Sequence, residues 1–189
     1  MISGRISKNL VEEPLAPVLK RVAVSPNVIT ITGFLITVAG AAVIAFNLRA
    51  GGLIILFGGL FDGLDGMVAR ANGKSTRFGA YLDSVLDRYS DAFIFFGVAY
   101  YLRANITGVL PAMGTLAGAF LISYARARAE GLGVQCKIGL MERPERLVFI
   151  IAGALTGYMI PVLWAMFIAT HFTVVQRMVH TKKMLSERG

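Results

Sequence analysis

Cysteine is almost missing from this chain: Cys136 is the only one in 189 residues. That excludes an intrachain disulfide and any cysteine-based metal site. Histidine is nearly as scarce. His171 and His180 are the only two, both near the C-terminal end, and each reads as a packed or interfacial side chain rather than a ligand. Charged residues make up only 16% of the chain while 56% is hydrophobic, and the mean hydropathy is +0.66. These values exclude an ordinary soluble domain. Internal repeats and low-complexity segments are absent. The N-terminal segment has no long apolar core followed by small residues, so it does not read as a cleaved signal peptide. Aspartate is missing everywhere except residues 61–93, where all five occur: Asp62, Asp65, Asp83, Asp87 and Asp91.

What is present in quantity is apolar sequence. Runs cover about 27–47, 51–71, 78–103, 108–131, 144–158 and 160–182, each of the order needed to cross a bilayer as a helix. The expected fold is an all-α polytopic membrane protein with six transmembrane helices, forming one domain over residues 24–189. Residues 1–23 carry Ile2, Ile6, Leu10, Leu15, Val18 and Leu19 at near-helical spacing, broken near Pro14 and Pro17. They are expected to form an interfacial amphipathic helix; a frayed tail is the other reading. Ser25 and Pro26 form a start signal for the first span. "LRAG", residues 48–51, is expected as a turn between the first two.

The net charge of +8 does not point to nucleic acid. Seventeen of the 19 basic residues cluster before the first run, around the second and fourth loops, and at the C-terminal end; only Arg49 and Arg103 fall on the other side. The positive-inside rule then puts both termini and both polar loops at the cytoplasmic face of the cell membrane.

An ionisable group within a span costs roughly 2.5–3.5 kcal/mol on insertion scales, so five aspartates in one window need partners. Asp62 and Asp65 are three apart and share a face at the end of the second run. Asp83, Asp87 and Asp91 are spaced by four and share a face at the start of the third. A connection of six to eight residues makes these helices antiparallel neighbours, so the acidic faces meet. Arg70, Arg77 and Arg88 supply part of the neutralising charge. Divalent cations would supply more, and oxygen-only donors favour Mg²⁺, Mn²⁺ or Ca²⁺ over zinc. The ligand count suits two ions. Gly63, Gly66, Gly73 and Gly79 line the same window, and glycine beside arginine suits a phosphate-bearing ligand. A structural ion-pair network and a cation channel or transporter are the competing readings.

The pattern Asp62-x-x-Asp65-Gly66-x-x-Ala69-Arg70, eight residues, then Gly79-x-x-x-Asp83-x-x-x-Asp87 resembles the motif of the CDP-alcohol phosphotransferase family. "SPNVIT" ahead of the first span is similar to that family as well. The resemblance implies a transferase in which an alcohol attacks the lipid-bearing phosphate of a CDP-linked lipid and CMP leaves. It implies that Asp62, Asp65, Asp83 and Asp87 hold a pair of Mg²⁺ or Mn²⁺ ions, with Asp87 as the base. It implies that Gly66, Ala69, Arg70 and Gly79 bind the CDP-lipid, with Thr76 and Asn27 as further contacts. A homodimer is implied too. Asp91 lies outside the motif and is expected to partner a basic group.

A second basic set bears on the acceptor. "SYARARAEGLG" (123–133), "LMERPERL" (140–147) and "TVVQR" (173–177) carry Arg126, Arg143, Arg146 and Arg177. Arginines that converge need an anion, and their forked donors suit phosphate. "RARAE" and "ERPER" resemble the branch of the family that transfers to inositol phosphate, the phosphatidylinositol-phosphate and archaetidylinositol-phosphate synthases. By that resemblance Arg126, Arg143 and Arg177 are acceptor-phosphate contacts, with Ser123 and Arg146 beside them; glycerol 3-phosphate is the alternative acceptor. The same arginines could instead anchor helix ends at headgroups, or pair with Glu130, Glu142 and Glu145. "GTLAGAF", residues 114–120, spaces small residues for close helix packing, within one bundle or between two chains.

Overall fold

A computed structural model describes residues 25–187 apart from Lys74, and apart from the Asp65 side chain. The amphipathic helix expected over 1–23 lies outside the described residues. Six helices follow one another: α1 (Pro26–Ile44), α2 (Leu48–Ala71), α3 (Arg77–Tyr101), α4 (Ile106–Gly131), α5 (Arg143–Thr156) and α6 (Met159–Ser186). Among the described residues there is no strand. The six apolar runs thus correspond to the six helices, with boundaries shifted by a few residues.

The shifts have local causes. Asn47 sits in extended backbone and its Oδ1 accepts the Ala50 N–H at 3.1 Å. That cap starts α2 three residues earlier than expected, so "LRAG" is the first turn of a helix and not a connection. Thr76 caps α3 in the same way, its Oγ1 accepting the Gly79 N–H at 2.9 Å. The α2–α3 connection is consequently residues 72–76, shorter than expected. Asn105 caps α4 through Thr107. Ser25 occupies the capping position of α1, but its side chain makes no cap bond; its carbonyl accepts from Val28 and Ile29. Gly157, at φ 83°, ends α5 in a left-handed conformation that glycine adopts without strain.

α1, α2, α4 and α6 are long and apolar enough to cross a membrane, by length and composition. α3 has the length, but Asp83, Asp87 and Asp91 lie along it. α5 has 14 residues, about 21 Å of helix against a hydrocarbon core of about 30 Å.

Packing runs from α1 to α2 and α3, from α2 to α5, from α3 to α4, and from α6 to α4 and α5. The buried core includes Ile44, Ile55, Ile94, Phe95, Val98, Leu116, Ile150, Leu163 and Met166. Small residues set the approach distances. A Cβ at Gly97 would lie 2.2 Å from the Ala41 carbonyl oxygen, so α3 rests directly on the α1 backbone. Gly114 and Gly118 face Phe167 and Thr170 of α6, so "GTLAGAF" packs within the bundle at these two positions. Pro111, inside α4, has no N–H to give to the Thr107 carbonyl. Trp164 Nε1 donates to that oxygen at 3.1 Å instead, tying α6 to α4. His171 Nε2 lies 3.2 Å from Gly114 O and His180 Nε2 lies 3.1 Å from Gln135 O, so each ring has a backbone partner.

The Gly97 contact is testable. Gly97→Ala forces backbone apart and should cost about 1–3 kcal/mol, read as a lower thermal midpoint in detergent. Gly63→Ala, where a Cβ meets nothing within 4 Å, should not lower it.

Candidate active site

The C-terminal half of α2, the 72–76 connection and the first half of α3 form one end of the bundle. There Asp62, Asp83 and Asp87 each bring a carboxylate oxygen within 4.8 Å of the others. Asp65 lies on the same helix as Asp62, and its side chain is outside the described set. Three half-buried carboxylates at this spacing repel one another unless positive charge stands among them. Hard oxygen donors alone, with no histidine or cysteine in the group, fit a divalent cation of the Mg²⁺ or Mn²⁺ type.

Part of the positive charge comes from an unexpected residue. Arg143, the first residue of α5, directs Nη1 to both Asp62 Oδ2 and Asp87 Oδ1, the latter at 2.9 Å. Arg88 Nη1 lies 3.6 Å from Asp87 Oδ2 and donates to Ser84 O at 2.6 Å. Arg88 therefore supplies some of the charge expected of it, while Arg143 bridges the two acidic helices. One turn further along, Asp91 binds Arg146 Nη2 at 2.5 Å, and both residues are buried. Asp91 thus has the basic partner expected for it. Arg143 Nε and Arg146 Nε are buried without hydrogen-bond partners among the described residues.

Two cavities flank the carboxylates. The first, of about 220 Å³, is lined by Asn27, Gly66, Ala69, Arg70, Thr76, Gly79 and Asp83, with Pro26, Thr30, Ser75 and Ala80. It gathers every residue expected on the CDP-lipid side. A Cβ at Gly79 would meet Thr76 Oγ1 at 3.0 Å and Asn27 Oδ1 at 3.1 Å, so glycine keeps the wall open there. The second cavity, of about 780 Å³, is lined by Ser123, Arg126, Arg143, Arg146 and Arg177 together with Asp83, Asp87 and Asp91. All five residues expected around the acceptor phosphate border it. Asp83 lines both cavities.

The arginines of the second cavity already have protein partners. Arg126 Nε bonds Glu130 Oε1 at 2.9 Å across one helical turn, half exposed. Arg177 is 2% exposed and donates to Ile138 O at 2.8 Å, Ile122 O at 2.7 Å and Glu142 Oε1 at 2.9 Å. It holds the irregular 132–142 segment, which Thr173 also secures by accepting the Met141 N–H at 3.0 Å. Ser123 Oγ donates to Ala119 O. The pairings with Glu130 and Glu142 weighed from sequence are therefore present at Arg126 and Arg177. The Arg143 pairing had a sequence signal: Arg143 and Arg146 are three apart and Asp87 and Asp91 four apart, so two helices present complementary pairs of charges.

An acidic cluster between a glycine-lined cavity and an arginine-lined one defines a site that can bring two phosphate-bearing molecules together on metal ligands. The comparisons agree with that class. Residues 23–177 match the CDP-alcohol phosphatidyltransferase family model, and the chain belongs to that family of metal-dependent phosphotransferases. It is 40% identical over 177 residues to the archaetidylinositol phosphate synthase of Methanothermobacter thermautotrophicus, covering 89% of each chain. It is 35% identical to the phosphatidylinositol phosphate synthase of Mycobacteroides abscessus, covering 94% of this chain and 87% of that one. Among solved structures it resembles Mycobacterium tuberculosis phosphatidylinositol phosphate synthase with CDP-DAG bound, at TM-score 0.81 and 35% identity, covering 91% of this chain and 94% of that one. A structure of the same enzyme with manganese and citrate gives TM-score 0.81 at 35% identity, covering 90% and 88%.

The buried Asp91–Arg146 pair generates a stability prediction. Asp91→Asn leaves the Arg146 charge buried without its counter-ion and should cost about 3–5 kcal/mol. Thermal unfolding in detergent reads this, and Asp91→Leu combined with Arg146→Met should restore most of it.

Proposed function

We propose that this chain transfers the lipid-bearing phosphate of a CDP-linked lipid to inositol phosphate, releasing CMP and forming a phosphatidylinositol-phosphate-type lipid. The observation that carries the reading is Asp83, which lines both cavities. A CDP-lipid held in the first and a phosphorylated acceptor held in the second would meet at the carboxylates. The names of the similar synthases favour inositol phosphate over glycerol 3-phosphate.

In this reading Asn27, Gly66, Ala69, Arg70, Thr76 and Gly79 bind the cytidine diphosphate, with Gly79 keeping space for the pyrophosphate. Asp62, Asp65, Asp83 and Asp87 would hold one or two Mg²⁺ or Mn²⁺ ions, which when bound neutralise the attacked phosphate and the departing CMP. Asp87, at the edge of the arginine cavity, takes the proton of the acceptor hydroxyl as its oxygen bonds to phosphorus. The phosphorus–oxygen bond to CMP then breaks. Arg126, Arg143 and Arg146 face the acceptor phosphate, with Ser123 and Arg177 on the same wall. The protein would be a homodimer in the cell membrane, crossing it six times, with the site and both termini at the cytoplasmic face. There a soluble acceptor arrives from water and the CDP-lipid from the bilayer.

Purified protein supplied with CDP-diacylglycerol or CDP-archaeol and Mg²⁺ or Mn²⁺ should release CMP with inositol phosphate as acceptor. No release with any acceptor would sink the transferase reading, and release with glycerol 3-phosphate alone would move the assignment to that acceptor. Asp87→Asn should lower turnover by about 10²-fold or more while CDP-lipid binding persists. Near-normal turnover in that variant would remove Asp87 as the base.

A further inference from the structure

Arg143 faces two sites at once. Its Nη1 holds Asp62 and Asp87, two of the three carboxylates that converge, while its side chain borders the arginine-lined cavity. Its Nε is buried with no hydrogen-bond partner among the described residues, 4.0 Å from Asp91 Oδ1. The guanidinium is therefore not fully bonded where it stands. A divalent ion bound by Asp62, Asp83 and Asp87 would need the same oxygens that Arg143 holds, and it would repel the guanidinium. A phosphate in the adjoining cavity would offer Arg143 oxygens of the same kind.

Charge balance points the same way. The carboxylates and arginines lining the large cavity are five acidic (Asp83, Asp87, Asp91, Glu130, Glu142) and five basic (Arg88, Arg126, Arg143, Arg146, Arg177). Asp62, which Arg143 also holds, adds a sixth acidic group beside the cavity, so a divalent cation turns the local charge positive and an anion binds best once it is present.

We propose that Arg143 is a shared counter-ion: divalent-metal binding at Asp62 and Asp87 displaces its guanidinium toward the acceptor phosphate, so that metal and acceptor each tighten the other's binding. Neighbours on α3 and α5 favour such a movement over loss of the helix. Arg143 is the first residue of α5, while Arg146, one turn on, stays anchored to Asp91. The coupling is reciprocal by thermodynamic necessity. It rests on the reading that the carboxylates hold metal and the arginine cavity holds a phosphorylated acceptor.

The test measures Mn²⁺ binding by electron paramagnetic resonance on the full chain in detergent, without CDP-lipid, so that nothing turns over. Saturating inositol phosphate should tighten Mn²⁺ binding to the wild-type protein by about fivefold or more. Arg143→Gln should bind Mn²⁺ more tightly than wild type without acceptor, because a competing cation is gone, and should show no acceptor effect. Arg143→Lys, which keeps the charge, should stay near the wild-type Mn²⁺ affinity. The proposal is overturned if Arg143→Gln binds Mn²⁺ more weakly while still folded, or if the acceptor effect survives in it. It is also overturned if wild-type protein shows no acceptor effect, a measurement that needs no variant. Mn²⁺ binding and CMP release without coupling would reject this inference alone. Absence of both Mn²⁺ binding and CMP release would reject the transferase reading with it.

Discussion

Like charges a few ångströms apart in a protein interior repel by several kcal/mol, about 4 kcal/mol at 4 Å for an effective dielectric of about 20. Asp62, Asp83 and Asp87 come within that range of one another, and the bundle must offset their repulsion. Arg143 does so from 81 residues away along the chain. The docking of α5 against α2 is therefore an electrostatic requirement as much as an apolar one, and ion pairs tie α5 to α3 as well. Behind this first contact lie Asp91 with Arg146, and Glu142 with Arg177. Acid and base alternate from α2 through α3 and α5 to α6, and neither buried arginine, Arg146 nor Arg177, lacks an acidic partner. Removing one member leaves its neighbour's charge unsatisfied, which costs more than the pair itself contributes.

The apolar packing makes this network possible by fixing the helices at short range. With α3 resting on the α1 backbone at Gly97 and α4 held to α6 at Gly114 and Gly118, little freedom remains for the charged ends to drift apart. The short 72–76 connection, capped at Thr76, sets how α2 hands over to α3. The shape of α5 follows from its two ends. Its first residue has to reach Asp62 and Asp87, and Gly157 turns the chain into α6. The helix between them has 14 residues, about 21 Å, shorter than a hydrocarbon core of about 30 Å, so its place in the bundle depends on neighbours.

The sequence made the local features readable. Aspartates three or four apart imply shared faces, and five residues of the motif, Gly66, Ala69, Arg70, Gly79 and Asp83, line one small cavity. Asp91 was readable as a partner for a base, though which base was not. The reading of "LRAG" as a turn failed because the cap at Asn47 lies just outside it. The role of Arg143 was harder. A contact across 81 residues leaves no local periodicity, and the arginines around it encouraged a single assignment to one pocket. Complementary spacing of Arg143 and Arg146 against Asp87 and Asp91 was the available signal. For Arg177 the pairing with Glu142 was the only signal; its other two acceptors are the backbone carbonyls of Ile122 and Ile138, and a carbonyl acceptor looks the same at every residue.

Charge also separates a transferase from a cation pathway. A conduit for divalent ions needs acidic groups in excess along a path through the bundle. Here the carboxylates gather at one end of α2 and α3, and the cavity beside them carries as many basic as acidic side chains. With Asp62 alongside, such a site gains an anion most readily once a cation is bound. It suits a reaction in which metal charge and phosphate charge arrive together and leave together. The glycine-walled cavity on the other side of Asp83 extends the same logic, since a pyrophosphate there would add negative charge where α2 ends and α3 begins. Asp83 is then the residue common to both cavities, and the acidic cluster is the boundary across which the two phosphates would approach.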